Sequence, residues 1–78
     1  MKKFKDFPRG IAFVPEGDHR VFVKIPELRN ADGDIFNAVQ LQSMVGHIMV
    51  QHGGQVHYLS DDTNVRRASI SEVFIDAP

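Results

Sequence analysis

The stretch "IFNAVQLQSMVGHIMVQHGG", Ile35 to Gly54, decides the fold class, and its first peculiarity is electrostatic. Residues 35–60 contain no Asp, Glu, Lys or Arg, in a chain that is 24% charged. Placed on a helical wheel at about 100° per residue, Asn37, Gln40, Ser43, His47 and Gln51 gather on one side. Phe36, Val39, Leu41, Met44, Val45, Ile48, Met49 and Val50 fill most of the remaining circle. Asp32 or Asp34 just upstream is the residue type whose carboxylate caps a first helical turn. Gly53-Gly54 is the composition that stops a helix, because glycine takes the left-handed conformation freely. The pattern predicts a central α-helix over about residues 35–52.

A helix that packs on one sheet needs an apolar stripe of roughly 100°, and this arc is wider. Solvated helix faces are usually furnished with Glu and Lys, whereas interface cores are depleted of charge and enriched in Met and aromatic residues. One side of the segment is therefore expected on its own sheet and the other against a second protein surface. Leu41, Met44, Ile48 and Gln51 are the expected contact residues, with Phe22 and Phe74 added if the second face of the sheet is used. Gly46, which inside a helix costs about 1 kcal/mol against Ala, suits close approach of another backbone.

Upstream, "GIAFVP" (residues 10–15) and "HRVFVKIP" (residues 19–26) are β-branched and aromatic runs separated by "EGD", and they predict a hairpin. In the second run Val21, Val23 and Ile25 share one face and Arg20, Phe22 and Lys24 the other. Downstream, "QVHYLS" and "RRASISEVFIDA" predict a third and a fourth strand joined by the turn-forming "DDTN". A parity change between Ala68/Ile70 and Val73/Ile75 points to a bulge near Ser71-Glu72, or to a strand buried on both faces. The expected fold class is α+β with the order ββαββ, one helix on a mostly antiparallel four-stranded sheet, forming a single domain over residues 1–78.

At 78 residues such a domain buries only roughly 60–65% of the surface its unfolded chain exposes. Domains this small lean on disulfides, metals or partner subunits, and the absence of cysteine excludes disulfides and thiolate zinc sites. No signal-peptide run follows the opening lysines and no segment approaches the roughly 18 apolar residues of a membrane span, so a cytoplasmic location is expected. The formal net charge is −1 and argues against a general nucleic-acid coat. Its distribution is uneven: residues 1–29 hold seven Lys/Arg against four Asp/Glu, and residues 30–78 hold two against six.

Several short motifs invite chemistry. His47, His52 and His57 recur every five residues and the run closes on Asp61-Asp62. On a helix that spacing turns neighbouring rings to different sides, unlike the i, i+4 spacing of zinc helices. The metal set open to them is His52 and His57 with Asp61 or Asp62, a two-histidine, one-carboxylate arrangement. "NADGD" (residues 30–34) lacks the glycine and the terminal acid that an EF-hand requires, and a turn explains it. "RRAS", Arg66 to Ser69, matches a basic kinase-substrate pattern and equally a surface arginine pair beside a sheet edge. "KKFKDFPRG" (residues 2–10) interleaves Lys2, Lys3, Lys5 and Arg9 with Phe4 and Phe7, a mixture suited to phosphate contacts and base stacking on single strands. The segment is loosely ordered unless Phe4 and Phe7 pin it to the core while the lysines stay in water.

No nucleophile–base pair, phosphate-cradling glycine loop or carboxylate pair marks an enzyme. The sequence thus predicts a small non-catalytic protein-binding module without a cofactor, homodimeric because symmetric dimers are the commonest assemblies. In size it matches a phage or mobile-element accessory or inhibitor protein. The alternatives are a nucleic-acid binder using Lys2, Lys3, Phe4, Lys5 and Arg9, and a small metal-dependent enzyme using His52, His57 and Asp61.

Overall fold

A computed structural model describes residues 1–45 and 48–69, with the backbone alone at Met44 and Val45. The described chain runs β1 (Lys2–Lys3), a 3-10 turn (Phe4–Asp6), β2 (Ala12–Pro15), β3 (Phe22–Arg29), β4 (Ile35–Gln40), β5 (Ser43–Val45), β6 (Ile48–Gln51), β7 (Val56–His57) and β8 (Asn64–Arg67). Six of these strands form one antiparallel sheet in the order β1-β8-β2-β3-β4-β7, and β5 and β6 form a separate two-stranded ribbon.

The hairpin expected from "GIAFVP" and "HRVFVKIP" is present, with Ala12 opposite Val23 and Phe13 opposite Phe22. Gly17, at φ 79°, turns the chain between them, the Asp18 amide donates to the Pro15 carbonyl, and the Arg20 guanidinium closes on the Asp18 carboxylate at 2.8 Å. "NADGD" is a turn, as expected, but it joins two strands. The Asn30 side chain accepts from the amides of Asp32 and Asp34 while Gly33 sits at φ 87°. Arg29 and Ile35 then face each other across β3 and β4.

The expected α+β class and ββαββ order are overturned by residues 35–51. These form β4, β5 and β6, and the helical structure among the described residues is the single 3-10 turn near the N-terminus. The four-stranded sheet becomes six-stranded, because Lys2–Lys3 adds an edge strand on β8 and β4, formed from the segment expected to be helical, enters between β3 and β7. Asp34 and Asp32 accordingly cap no helix. The physical reason lies in the composition. Ile35, Phe36, Val39, Val45, Ile48 and Val50 are β-branched or aromatic side chains that fit a pleated surface, and a run apolar on all sides carries no period that separates helix from strand. Gly53-Gly54 is no helix stop either. A side chain at Gly53 would collide with the backbone nitrogen of Gln42, and Gly54 lies at φ 86°, so the pair lets two backbones cross and returns the chain to β7.

The main aromatic cluster of the core lies on one face of the six-stranded sheet, and Val14 and Val21 are buried outside that cluster. Phe13, Phe22, Ala38 and Val65 project from the sheet, and Phe4 and Phe7 cover them from the N-terminal segment, with Ile11 and Leu59 at the margin. Phe13 sits at the centre, its ring 5.5 Å from those of Phe4 and Phe7 and 5.8 Å from that of Phe22. Residues 2–7 are therefore structural: Phe4 and Phe7 pin the terminus and their lysine neighbours stay exposed. The expected fourth strand, residues 66–77, meets β8 only at Arg66-Arg67; β8 begins earlier, at Asn64 in the expected turn, and residues 70–77 lie outside the described residues. The suspected bulge at Ser71-Glu72, like Val73, Phe74 and Ile75, lies outside the described residues.

Candidate protein-binding arm

β5 and β6 pair antiparallel, with Met44 opposite Met49, Val45 opposite Ile48, and a register shift next to Ser43. Gly46 and His47, between the two strands in sequence, lie outside the described residues. The ribbon is rooted at one end. The Gln51 side chain reaches 30 residues back, accepting from the Val21 amide at 3.1 Å and donating to the His19 carbonyl at 2.6 Å, while the Leu41 amide donates to the Val21 carbonyl at 2.8 Å.

Beyond that root the ribbon is open. Ile48, Met49 and Val50 are 70%, 42% and 53% exposed. Successive residues of a strand point to opposite faces, so apolar side chains on both faces of β6 stand in solvent, and β5 is its sole strand partner among the described residues. An unpaired edge with uncharged side chains is a template for another strand. The β1 edge of the main sheet differs, for β1 consists of two exposed lysines, the residue type that blunts edge pairing.

The expected contact residues separate into groups. Ile48 and Gln51 lie on β6, Met44 lies opposite on β5, and Leu41, half-buried, stands at the root. Phe22 is 1% exposed and belongs to the core, so no partner can reach it, and Phe74 lies outside the described residues. Met49 and Val50 complete the exposed set. Their signal was present in the sequence as consecutive apolar residues without a charge, but only a strand assignment exposes both together.

The N-terminal cations are brought together with a pair the sequence left apart. β1 pairs with β8, Lys2 opposite Val65, which places Lys2 and Arg9 around one groove with Arg66 and Arg67. Lys3 and Lys5 are exposed, and the Lys3 ammonium donates to the Asp62 carbonyl. Phe4 is 2% and Phe7 7% exposed, so neither offers a ring face for a base to stack on.

The histidine–aspartate set does not assemble. Among the described residues no group of three or more His, Asp or Glu side chains is placed to hold one ion. His52 and Asp61 are exposed, and the Asp61 carbonyl accepts from the Lys5 amide. His57 stands edge-on to Phe22 at 5.2 Å between centroids, with its Nε2 buried and unpartnered. No helix among the described residues is long and apolar enough to cross a membrane. Comparison with family models, with curated proteins and with solved structures finds no match to this chain.

Proposed function

We propose that the protein is a non-catalytic binding module that associates through the β5–β6 arm, in the first place with a second copy of itself. The observation that carries this is the run Ile48, Met49 and Val50, exposed on both faces of an edge strand. Ile48 and Met49 are consecutive and point to opposite faces, so a partner lying flat on one face would leave one of them uncovered. A strand added along the β6 edge brings neighbours to both faces and offers backbone hydrogen bonds to the side of β6 that has no strand partner among the described residues. Two β6 strands meeting antiparallel about a twofold axis form a self-complementary contact. Nor does "IMVQ" carry a charge that would face its own copy.

Full burial of an apolar side chain contributes roughly 1.5–3 kcal/mol, and the three residues are about half exposed. The gain for two copies is of order 6 kcal/mol, against an association cost of roughly 4–15 kcal/mol. The dimer is therefore expected to be weak. Sedimentation velocity from about 10 µM to 1 mM, a range covering weak association, is expected to show a monomer–dimer equilibrium that the single substitutions Ile48→Lys and Val50→Lys abolish. A monomer throughout would remove the self-association and leave a foreign protein as the occupant of the arm.

A cytoplasmic place, and a role as accessory or inhibitor of a larger partner, accord with this reading and with the absence of cysteine. The nucleic-acid alternative keeps its cations but lacks the stacking faces of Phe4 and Phe7, so it ranks below protein binding.

A further inference from the structure

A groove of ≈ 650 Å³ opens beside the paired β1 and β8, far from the arm in sequence. Phe7 and Val65, both buried, and the partly buried Ile11 form its apolar floor, and Lys2, Arg9 and Arg67 stand exposed around it, with Arg66 also on its wall. Elsewhere Lys3 is held on the Asp62 carbonyl, Arg20 on Asp18, Lys24 on three carbonyls and Arg29 on the Gly33 carbonyl, while Lys5 stands exposed. The side chains of Lys2, Arg9 and Arg67 make no hydrogen bond or ion pair, and no carboxylate lines the groove among the described residues.

We propose that this groove binds an anionic amphiphile, an acid with its carboxylate or phosphate at one end of an apolar body. Like charges gathered around an apolar floor repel one another, and an anion among them relieves the repulsion and accepts charge-assisted hydrogen bonds from arginine. The apolar body then takes the place of water over Phe7 and Ile11. The volume lies within the roughly 300–1,000 Å³ of small-molecule sites. Single-stranded nucleic acid fits less well, because the groove presents no open aromatic face.

The test is calorimetric titration of the full chain with decanoate below its micelle concentration, beside decanol, acetate, decyl phosphate and a thymidine oligonucleotide. Decanoate and decyl phosphate are expected to bind, and decanol and acetate to bind at least about tenfold more weakly, since each lacks one half of the complement. The variant Arg9→Gln/Arg67→Gln is expected to lose about tenfold or more in decanoate affinity while keeping its circular dichroism, both side chains being exposed. A preference for decanoate over decyl phosphate, or the reverse, identifies the acid head. Equal affinity for decanoate and decanol, or an unaltered affinity in the double variant, would overturn the proposal. So would oligonucleotide binding with steep salt dependence and no decanoate binding. None of these outcomes bears on the β6 arm, which the titrated residues do not touch.

Discussion

Asn37 is a polar side chain 6% exposed in the middle of β4, and it behaves as a piece of backbone. Its amide donates to the Leu59 carbonyl at 2.8 Å and its carbonyl oxygen accepts from the Leu59 amide at 2.8 Å, which extends the sheet past the two residues of β7. Replacing it by alanine leaves both backbone groups of Leu59 short of partners, so Asn37→Ala is expected to cost about 1–3 kcal/mol in urea unfolding. Asp18 illustrates a smaller effect. The Arg20 guanidinium hydrogen-bonded to it, outweighing the penalty of partial burial, lowers its pKa from 3.8 to about 2. A depressed carboxylate stabilises the fold above its unfolded pKa and loses that contribution as pH falls through the folded value. The stability difference between the wild type and Asp18→Asn is thus expected to be constant from neutral pH to about 5 and to shrink between about 4 and 2. Because the Arg20 side chain is 41% exposed, the difference should not exceed about 1 kcal/mol. The turn chemistry of Asp18 and of Asn30 was legible in the sequence, since such side chains fold onto backbone two residues away. Asn37 was not, because its partner lies 22 residues further on.

At the scale of elements, the hairpin of β2 and β3 could be anticipated because alternation and a glycine turn agree there. The segment 35–52 could not, because the evidence for a helix was negative: no charge, no strict alternation, and aspartates and glycines at the ends that serve turns equally well. What fixes β4 as a strand is its neighbours, β3 on one side and β7 on the other. The N-terminal 3-10 turn owes its place to a lysine from β3. The Lys24 ammonium donates to the carbonyls of Phe4, Lys5 and Phe7 at 2.8, 3.2 and 2.8 Å and lies 4.8 Å from the Phe4 ring centroid. It caps the turn and holds Phe4 and Phe7 over Phe13. Lys24→Met keeps the apolar stem and removes the ammonium, and is expected to lower stability by about 1–3 kcal/mol. Amide exchange in residues 4–7 is expected to rise before exchange elsewhere does. Uniform acceleration across the sheet would mean that Lys24 supports the whole core and not the turn.

For the whole molecule, the absence of charge from residues 35–60 carried real information about surfaces even though the helix inferred from it is not there. Part of the stretch enters the sheet at β4, and Ile48, Met49 and Val50 are left in solvent. On the proposed reading a second copy covers them along β6. The basic groove was illegible for a different reason. Lys2 and Arg67 meet only through the pairing of the first strand with the last described one, and no local pattern encodes that contact. The central claim is that a second copy pairs along β6. The most direct measurement is amide hydrogen exchange of residues 48–51 at protein concentrations from about 10 µM to 1 mM. Protection of these amides is expected to increase with concentration in the wild type, and to stay low and constant in Val50→Lys. Wild-type exchange that is fast at every concentration would contradict the account.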